Sequence, residues 1–339
     1  MRKNIAFACV LALGVSALLG GAARAAEDAA GFYLLGSKGA MAGFVPPPGT
    51  YLSDVTYSYA GDASGAAAAG VASRRAGRLT VEADVAVDGT VAFAIPSALW
   101  VAPGKLLGGN AGFGIVVPIG WKDVDVDIGA RARLDAPALG VTLERERRFA
   151  FGDSTGNFGD PLAAAVLGWS EGNWHWNAGA LVNIPIGQWE KDNIANIGFN
   201  HWGLDASAAA TWLDPKIGFE VSAAAGFTFN WENPDTDYKT GAEFHLEFAV
   251  LQHFSKTFAI GLAGYHYDQM TGDSGSGAAL GSFKGRVTAL GPIVAYNFEL
   301  GKSPVSANLK WAREFSAENR LEGDALQVTL SLPLAADSR

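Results

Sequence analysis

Apolar and polar residues alternate one by one through most of this chain. From Lys216 to Trp231, one parity carries Ile217, Phe219, Val221, Ala223, Ala225, Phe227, Phe229 and Trp231. The other carries Gly218, Glu220, Ser222, Ala224, Gly226, Thr228 and Asn230. Successive side chains of a strand point to opposite faces, so this segment predicts a strand with one apolar side and one polar or small side. Phe244, Leu246, Phe248 and Val250 oppose Glu243, His245 and Glu247 in the same way. The pattern recurs at Trp174–Ile184, Trp202–Trp212 (with Asp205 on the polar side), Val305–Trp311 (with Lys310) and Leu326–Leu332. No amphipathic helix interrupts the series.

Connections alternate in length. Gly172-Asn173, Asp214-Pro215, Phe254-Ser255 and Gly301-Lys302 mark short turns. Residues 187–200, 232–239, 269–282 and 316–322 are longer and rich in Gly, Asp, Asn or Ser. Nine strands then lie between about residues 161 and 334, and three more near 51–59, 79–88 and 111–120, giving twelve. If 90–101 and 139–149 are also strands, the count is fourteen. Leu290-Gly291-Pro292 shifts the phase of its strand and predicts a bulge. Val116-Val117-Pro118-Ile119-Gly120 and Asn183-Ile184-Pro185-Ile186-Gly187 echo each other, as two strand exits would. Residues 122–160 alternate Asp123, Asp125 and Asp127 with Val124, Val126 and Ile128, then run Glu144 to Arg148 in charges. They form the longest outer connection, an extended hairpin above the membrane.

An alternating chain fits either a soluble sandwich or barrel, or a membrane barrel. Three features favour the membrane barrel. Its polar faces are small and sparsely charged, its strands run to ~10–15 residues, and its tryptophans fall at strand ends as interfacial girdles do. Those tryptophans are Trp121, Trp174, Trp176, Trp202, Trp212, Trp231 and Trp311. Arg2, Lys3, the apolar run Ile5–Leu19 and Ala23-Arg24-Ala25 read as a signal peptide over residues 1–25. Its removal takes the only cysteine, Cys9, and leaves a net charge of 22 − 34 = −12. That balance excludes a nucleic-acid role, which needs a positive footprint. Residues 26–48 are an arm ahead of the barrel, with Tyr33 and Phe44 as plug candidates and a Pro46-Pro47-Pro48 run that no central strand accepts. The barrel occupies 49–334, and 335–339 form a short tail.

The chemistry on offer is sparse. Gly168-Trp169-Ser170-Glu171-Gly172 matches a nucleophile pattern, but that pattern works on a strand-to-helix turn, and here it spans a hairpin. Gly272-Asp273-Ser274-Gly275 sits in a Gly/Ser loop of a chain with 43 glycines. The five histidines, His175, His201, His245, His253 and His266, form no metal-binding pair at helical spacing. Glu243, His245 and Glu247 share a face, but i and i+4 on a strand lie ~13 Å apart and cannot close on one ion. We therefore expect no catalytic residues, metal or cofactor. We expect a lumen lined by Asp205, Glu220, Glu243, His245, Glu247, Lys284, Arg286 and Lys310, with the carboxylates paired to bases on nearby strands.

Several stretches carry a family likeness: Gly159-Asp160-Pro161 through Pro185-Ile186-Gly187, Tyr238-Lys239-Thr240-Gly241 through His245, Asp273–Gly277 with Phe283–Val287, and Arg313-Glu314-Phe315 to Ala325. On these the chain resembles the outer-membrane barrels grouped with the meta-pathway of phenol degradation. The resemblance implies a bacterial outer-membrane location and passage of aromatic or other small hydrophobic compounds. It also implies contact with outer-membrane lipid and with the barrel-assembly machinery. The chain departs from many such barrels in ending Ser331-Leu332-Pro333-Leu334 and a tail, rather than on an aromatic residue. The alternatives to transport are a structural or adhesive barrel working through its outer loops, and a lipid hydrolase needing a Ser–His pair on the outer rim.

Overall fold

The computed structural model describes residues 31–73, 77–137, 140–278 and 281–336. The signal peptide, residues 26–30 and the last three residues lie outside the described residues. Fourteen antiparallel strands form one sheet. They are β1 (Gly49–Ser73), β2 (Gly77–Val101), β3 (Asn110–Val116), β4 (Ile119–Ala136), β5 (Val141–Phe158), β6 (Leu162–Glu171) and β7 (Trp174–Asn183). Then follow β8 (Gly203–Asp214), β9 (Phe219–Asn230), β10 (Glu243–His253), β11 (Phe258–Gln269), β12 (Arg286–Leu300), β13 (Ser303–Glu318) and β14 (Glu322–Ala336). Twelve of them close a ring: β1 pairs with β14, the order runs down to β6, β3 and β2, and β2 pairs back to β1. The two extra strands, β4 and β5, extend the sheet instead of widening the ring.

The geometry of that extension follows from two breaks. β2 pairs with β3 and then β4 in a single register, Ser97 opposite Val116 and Ala94 opposite Ile119. Only Val117-Pro118 interrupts the partner strand. β5 and β6 follow one another across Gly159-Asp160-Pro161, with the register against β4 and β3 offset by one residue. Proline cannot donate to the ladder, so each break frees the strand to leave the barrel wall. Above it, the upper halves of β1 and β2 with β4 and β5 form a projecting sheet.

The outward face of β2 marks where the lipid ends. Ala92, Ala94, Pro96, Ala98 and Trp100 face outward near the periplasmic end, and Glu82, Asp84 and Asp88 face outward above them. Around the ring, Phe227, Phe229, Leu246, Phe248, Leu262, Leu309 and Leu330 are exposed outward, the band that lipid covers. Trp100 and Trp174 are exposed at the end of the short turns, and Trp121, Trp202 and Trp231 at the other. The small and polar parity points into the lumen, where Asp205, Glu220, Ser222, Thr211 and Thr228 are all but fully buried.

Three expectations change. The phase shift in the β12–β13 ladder lies opposite Thr288/Ala289, which pair with Ser316 and Glu314 and leave Phe315 as the extra residue. The bulge is therefore on β13, and β12 keeps its own alternation, with Val287, Ala289 and Ile293 buried. The last outer loop is only residues 319–321, because β13 and β14 run on as strands. Finally, β1 and β2 are each 25 residues long. The upper segment of β1 is Gly/Ala-rich and shows no alternation in sequence, and it is held by hairpin register against β2, whose upper segment does alternate.

Candidate functional site

The interior is occupied by the N-terminal arm, which enters beside β1 and runs up the lumen. Asn110 donates to the carbonyl of Pro46 at 3.0 Å, and Asn177 to that of Ala42 at 2.9 Å. The N–H of Gly43 donates to Thr211 at 2.9 Å, and that of Met41 to Glu220 at 2.6 Å. Higher up, the N–H of Lys38 donates to Glu247 Oε2 at 2.7 Å, and the Tyr33 hydroxyl to Glu247 Oε1 at 2.7 Å. Lys310 Nζ donates to the carbonyls of Gly36 and Lys38. A segment without strand partners thus finds its backbone partners in the wall, as buried N–H and C=O groups require.

Glycines in the wall receive the arm's side chains. A Cβ on Gly168 would lie 2.3 Å from Val45, and one on Gly203 2.2 Å from the Phe32 ring. Apolar floor patches complete the seat. Ala40 packs on Ala249, Leu251, Ala259, Ala263 and Ile293, and Leu35 on Tyr265, Tyr267, Val287 and Ala289.

Six of the eight residues expected in the lumen are there: Asp205, Glu220, Glu243, His245, Glu247 and Lys310 are each buried. Asp205 and Glu220 pair with histidines of a nearby strand, as expected, whereas Glu243 and Glu247 are held mainly by tyrosines, Asn230 and the arm. Glu243 accepts from the Tyr267 hydroxyl at 2.5 Å and from Asn230 at 3.1 Å, and Glu220 from His253 at 2.7 Å and Ser222 at 2.8 Å. His245 Nε2 meets Asp205 Oδ2 at 2.8 Å. The carboxylate ladder is thus satisfied by tyrosines, histidines and the arm, with Lys310 as a nearby cation. Lys284 and Arg286 do not join it. Lys284 lies in the loop before β12, donating to the Met270 carbonyl at 2.9 Å. Arg286 points outward, opposite in parity to buried Val287, and pairs with Asp268 at 3.4 Å on the outer face. Lys284 falls before the strand begins, and β12 keeps its own alternation, so Arg286 takes the outward parity. Of the plug candidates, Tyr33 is buried high in the lumen, and Phe44 sits at the periplasmic end, edge-on to His175 at 5.3 Å.

Above the arm lies a cavity of about 320 Å³. The arm supplies its floor through Phe32, Tyr33, Leu34 and Leu35. β2 supplies Val85, Val87, Val91, Phe93 and Ile95, and the β4–β5 hairpin supplies Val124, Val126 and Phe151. Ile194, Ile197 and Phe199 come from the loop after β7. That loop is pinned by buried Asp160, which accepts from Asn183, Gly187 N and Phe199 N, and by Asp153, which accepts from Ile194 N and Ala195 N. The polar side holds Tyr57, Tyr59, Tyr265, Tyr267, Glu243, Glu314 and Arg320. Glu314 accepts from Tyr59 and Tyr265, and the Arg320 guanidinium lies 4.3 Å over the Tyr267 ring. Among the described residues, Glu314, Arg320 and these tyrosines were not singled out from sequence. The spacing Tyr57/Tyr59 and Tyr265/Tyr267, two apart on inward parity, is the signal that carries them. A second hollow, of about 430 Å³, lies at the periplasmic end against Phe44, Val45, Trp169 and Ser170. Residues 36–43 of the arm separate the two.

Sequence comparison decides the family. The profile described as "Putative MetA-pathway of phenol degradation" matches residues 61–330. The chain belongs to this family. Its fold is also that of the COG4313 outer membrane channel from Pseudomonas putida F1, with a TM-score of 0.57 at 16% identity over 85% of this chain and 96% of that one. OccK10 of Pseudomonas aeruginosa aligns with a TM-score of 0.31 at 10% identity, over 84% of this chain and 98% of that one. A Pseudomonas aeruginosa FadL homologue gives 0.30 at 10% identity, over 83% and 89%. No curated protein matches the sequence. This member of the family thus has the fold of a bacterial outer-membrane barrel, its apolar belt in contact with lipid.

The remaining motif is resolved by position. Ser170 Oγ lies 2.8 Å from His175 Nδ1 across the β6–β7 hairpin. The pair is on the inward face at the periplasmic end, not on the outer rim, and no helix follows Ser170.

Proposed function

We propose that this protein is a gated outer-membrane channel for uptake of small hydrophobic or aromatic compounds. The observation that carries the reading is the cavity above the arm. Its walls are Val, Ile, Leu and Phe side chains, and nine of its lining residues are aromatic. Ligand sites for apolar molecules have this character, a mostly apolar concavity with a few placed polar groups. The family description, which names phenol degradation, points the same way. The projecting sheet supports it further. Its inward parity (Val85, Val87, Val124, Val126) runs into the cavity, while Glu82, Asp84, Asp125 and Asp127 face water. Cargo reaching the sheet finds a continuous apolar surface leading inward. The arm is the gate, because residues 36–43 stand between the cavity and the periplasmic hollow.

The projecting sheet is also what a structural or adhesive barrel would use. Its apolar inner face, shared with the cavity, favours the intake role. The test is uptake of labelled toluene by a deletion strain carrying the wild-type gene or Phe93→Asp. A buried unpaired carboxylate is costly in an apolar site. Wild type should restore uptake and Phe93→Asp should not. Equal uptake with and without the gene would overturn the reading.

A further inference from the structure

We propose that the seat of Tyr33 is a binding site for a small neutral hydroxylated arene, occupied at rest by the arm's own phenol ring. The inference rests on the uptake reading and names the cargo class and the contact that cargo must displace. The Tyr33 ring stacks on the His245 imidazole with centroids 3.7 Å apart and planes inclined by 20°. Its hydroxyl donates to Glu247 Oε1 at 2.7 Å. Two arm residues also reach the seat, Ser37 donating to the Tyr33 hydroxyl at 3.3 Å and the Lys38 N–H to Glu247 Oε2, and the rest belongs to the barrel wall. His245 is held by Asp205, which also accepts from Thr228 at 2.8 Å. The imidazole lies against Gly226, where a Cβ would come within 2.5 Å of Nε2.

The seat is next to the cavity, whose lining includes Tyr33, His245, Thr228 and Glu243. A molecule in the cavity therefore reaches it without crossing the arm. Two buried atoms of the seat, His245 Nδ1 and Asp205 Oδ1, have no hydrogen-bond partner.

The chemistry selects narrowly. A flat ring satisfies the imidazole face. The ionised carboxylate of Glu247 only accepts, so the ligand must bring a donor, as the tyrosine it displaces brings its O–H. An arene bearing a carboxylate in place of the hydroxyl would meet the Glu247 carboxylate and be repelled. The tyrosine side chain cut at Cβ is 4-methylphenol, so that molecule reproduces both contacts. It competes against a tethered rival whose effective concentration is on the order of millimolar. When it wins, Tyr33 leaves Glu247, one of the arm's upper attachments is lost, and cargo itself loosens the gate.

The experiment measures equilibrium binding of 4-methylphenol, 4-methylanisole and toluene to the refolded full chain, as wild type, Tyr33→Ala and Tyr33→Ala/Glu247→Gln. An O–H donated to a charged acceptor is worth about tenfold or more in affinity. Tyr33→Ala should bind 4-methylphenol about tenfold more tightly than wild type does, and about tenfold more tightly than it binds 4-methylanisole. The added Glu247→Gln change should erase most of that preference. Equal affinity for the three probes, or no gain from Tyr33→Ala, overturns the proposal. If Tyr33→Ala does not refold, Tyr33→Phe, which keeps the ring and loses the donor, makes the same comparison. Toluene uptake that depends on Phe93 while the probes are not distinguished sinks this site and leaves the channel. Uptake independent of the protein sinks the channel reading itself.

Discussion

The attachment of the arm depends on a few single residues, and the tightest are glycines and buried charges. Gly168 is a notch for Val45, and a methyl group added there collides with a side chain that has no flexible end to move. Overpacking of this kind costs about 1–3 kcal/mol. Gly168→Ala should therefore unseat the lower arm, and Val45→Gly should restore it. Protease cleavage within residues 36–43 of the folded protein reads the effect: faster in Gly168→Ala, back toward wild type in the double variant, and unchanged in both if the notch is incidental. Lys310 acts at the other end, holding two arm carbonyls from a buried position. Hydrogen bonds to a charged group contribute about 1.5–3 kcal/mol each. Lys310→Met should raise amide exchange at residues 36–41 by tenfold or more while the strand amides stay protected. Uniform exchange across barrel and arm would show that Lys310 supports the barrel instead.

At the scale of elements, the projecting sheet is separable from the ring. β4 and β5 pair with β2 and with each other, whereas the ring passes through β3 and β6. Replacing residues 123–155 by a short turn should leave barrel folding and thermal stability near wild type. It should also lower hydrophobic uptake, since Val124, Val126 and Phe151 leave the cavity wall. Unchanged uptake would return the sheet to an adhesive role. The elements also show what sequence conveys. Alternation located β6 to β14 because each of those strands faces lipid on one side and lumen on the other, so its parity is written in polarity. The upper part of β1 has no such contrast, and the twelve-or-fourteen ambiguity lay at 90–101, which continues β2, and at 139–149, which falls largely in β5, a real strand that is not part of the ring. Arg286 was misplaced for a related reason. The extra residue lies on β13, a partner strand whose register no single segment reveals.

For the whole molecule, the arm fills the lumen, and on the proposed reading it sets whether the barrel is open. Its placement was half legible. Three prolines excluded it from the sheet, and its aromatic residues argued for burial. Its route could not be read, because the bonds that hold it join positions up to 274 residues apart. The same holds for the cavity, assembled from the arm, β2, the β4–β5 hairpin and the loop after β7. A twelve-stranded ring encloses more room than an eight-stranded one, whose interior side chains fill, and less than an open porin. Occupied by residues 31–45, it should be nearly closed.

The most direct test is single-channel conductance in a planar bilayer, comparing the refolded full chain with a variant lacking residues 31–45. If the arm is the gate, the full chain shows little or no steady conductance and the variant opens to a stable, several-fold larger one. If both are silent, the barrel is filled by its own wall and the channel account fails. If both conduct alike, the arm is not what closes it.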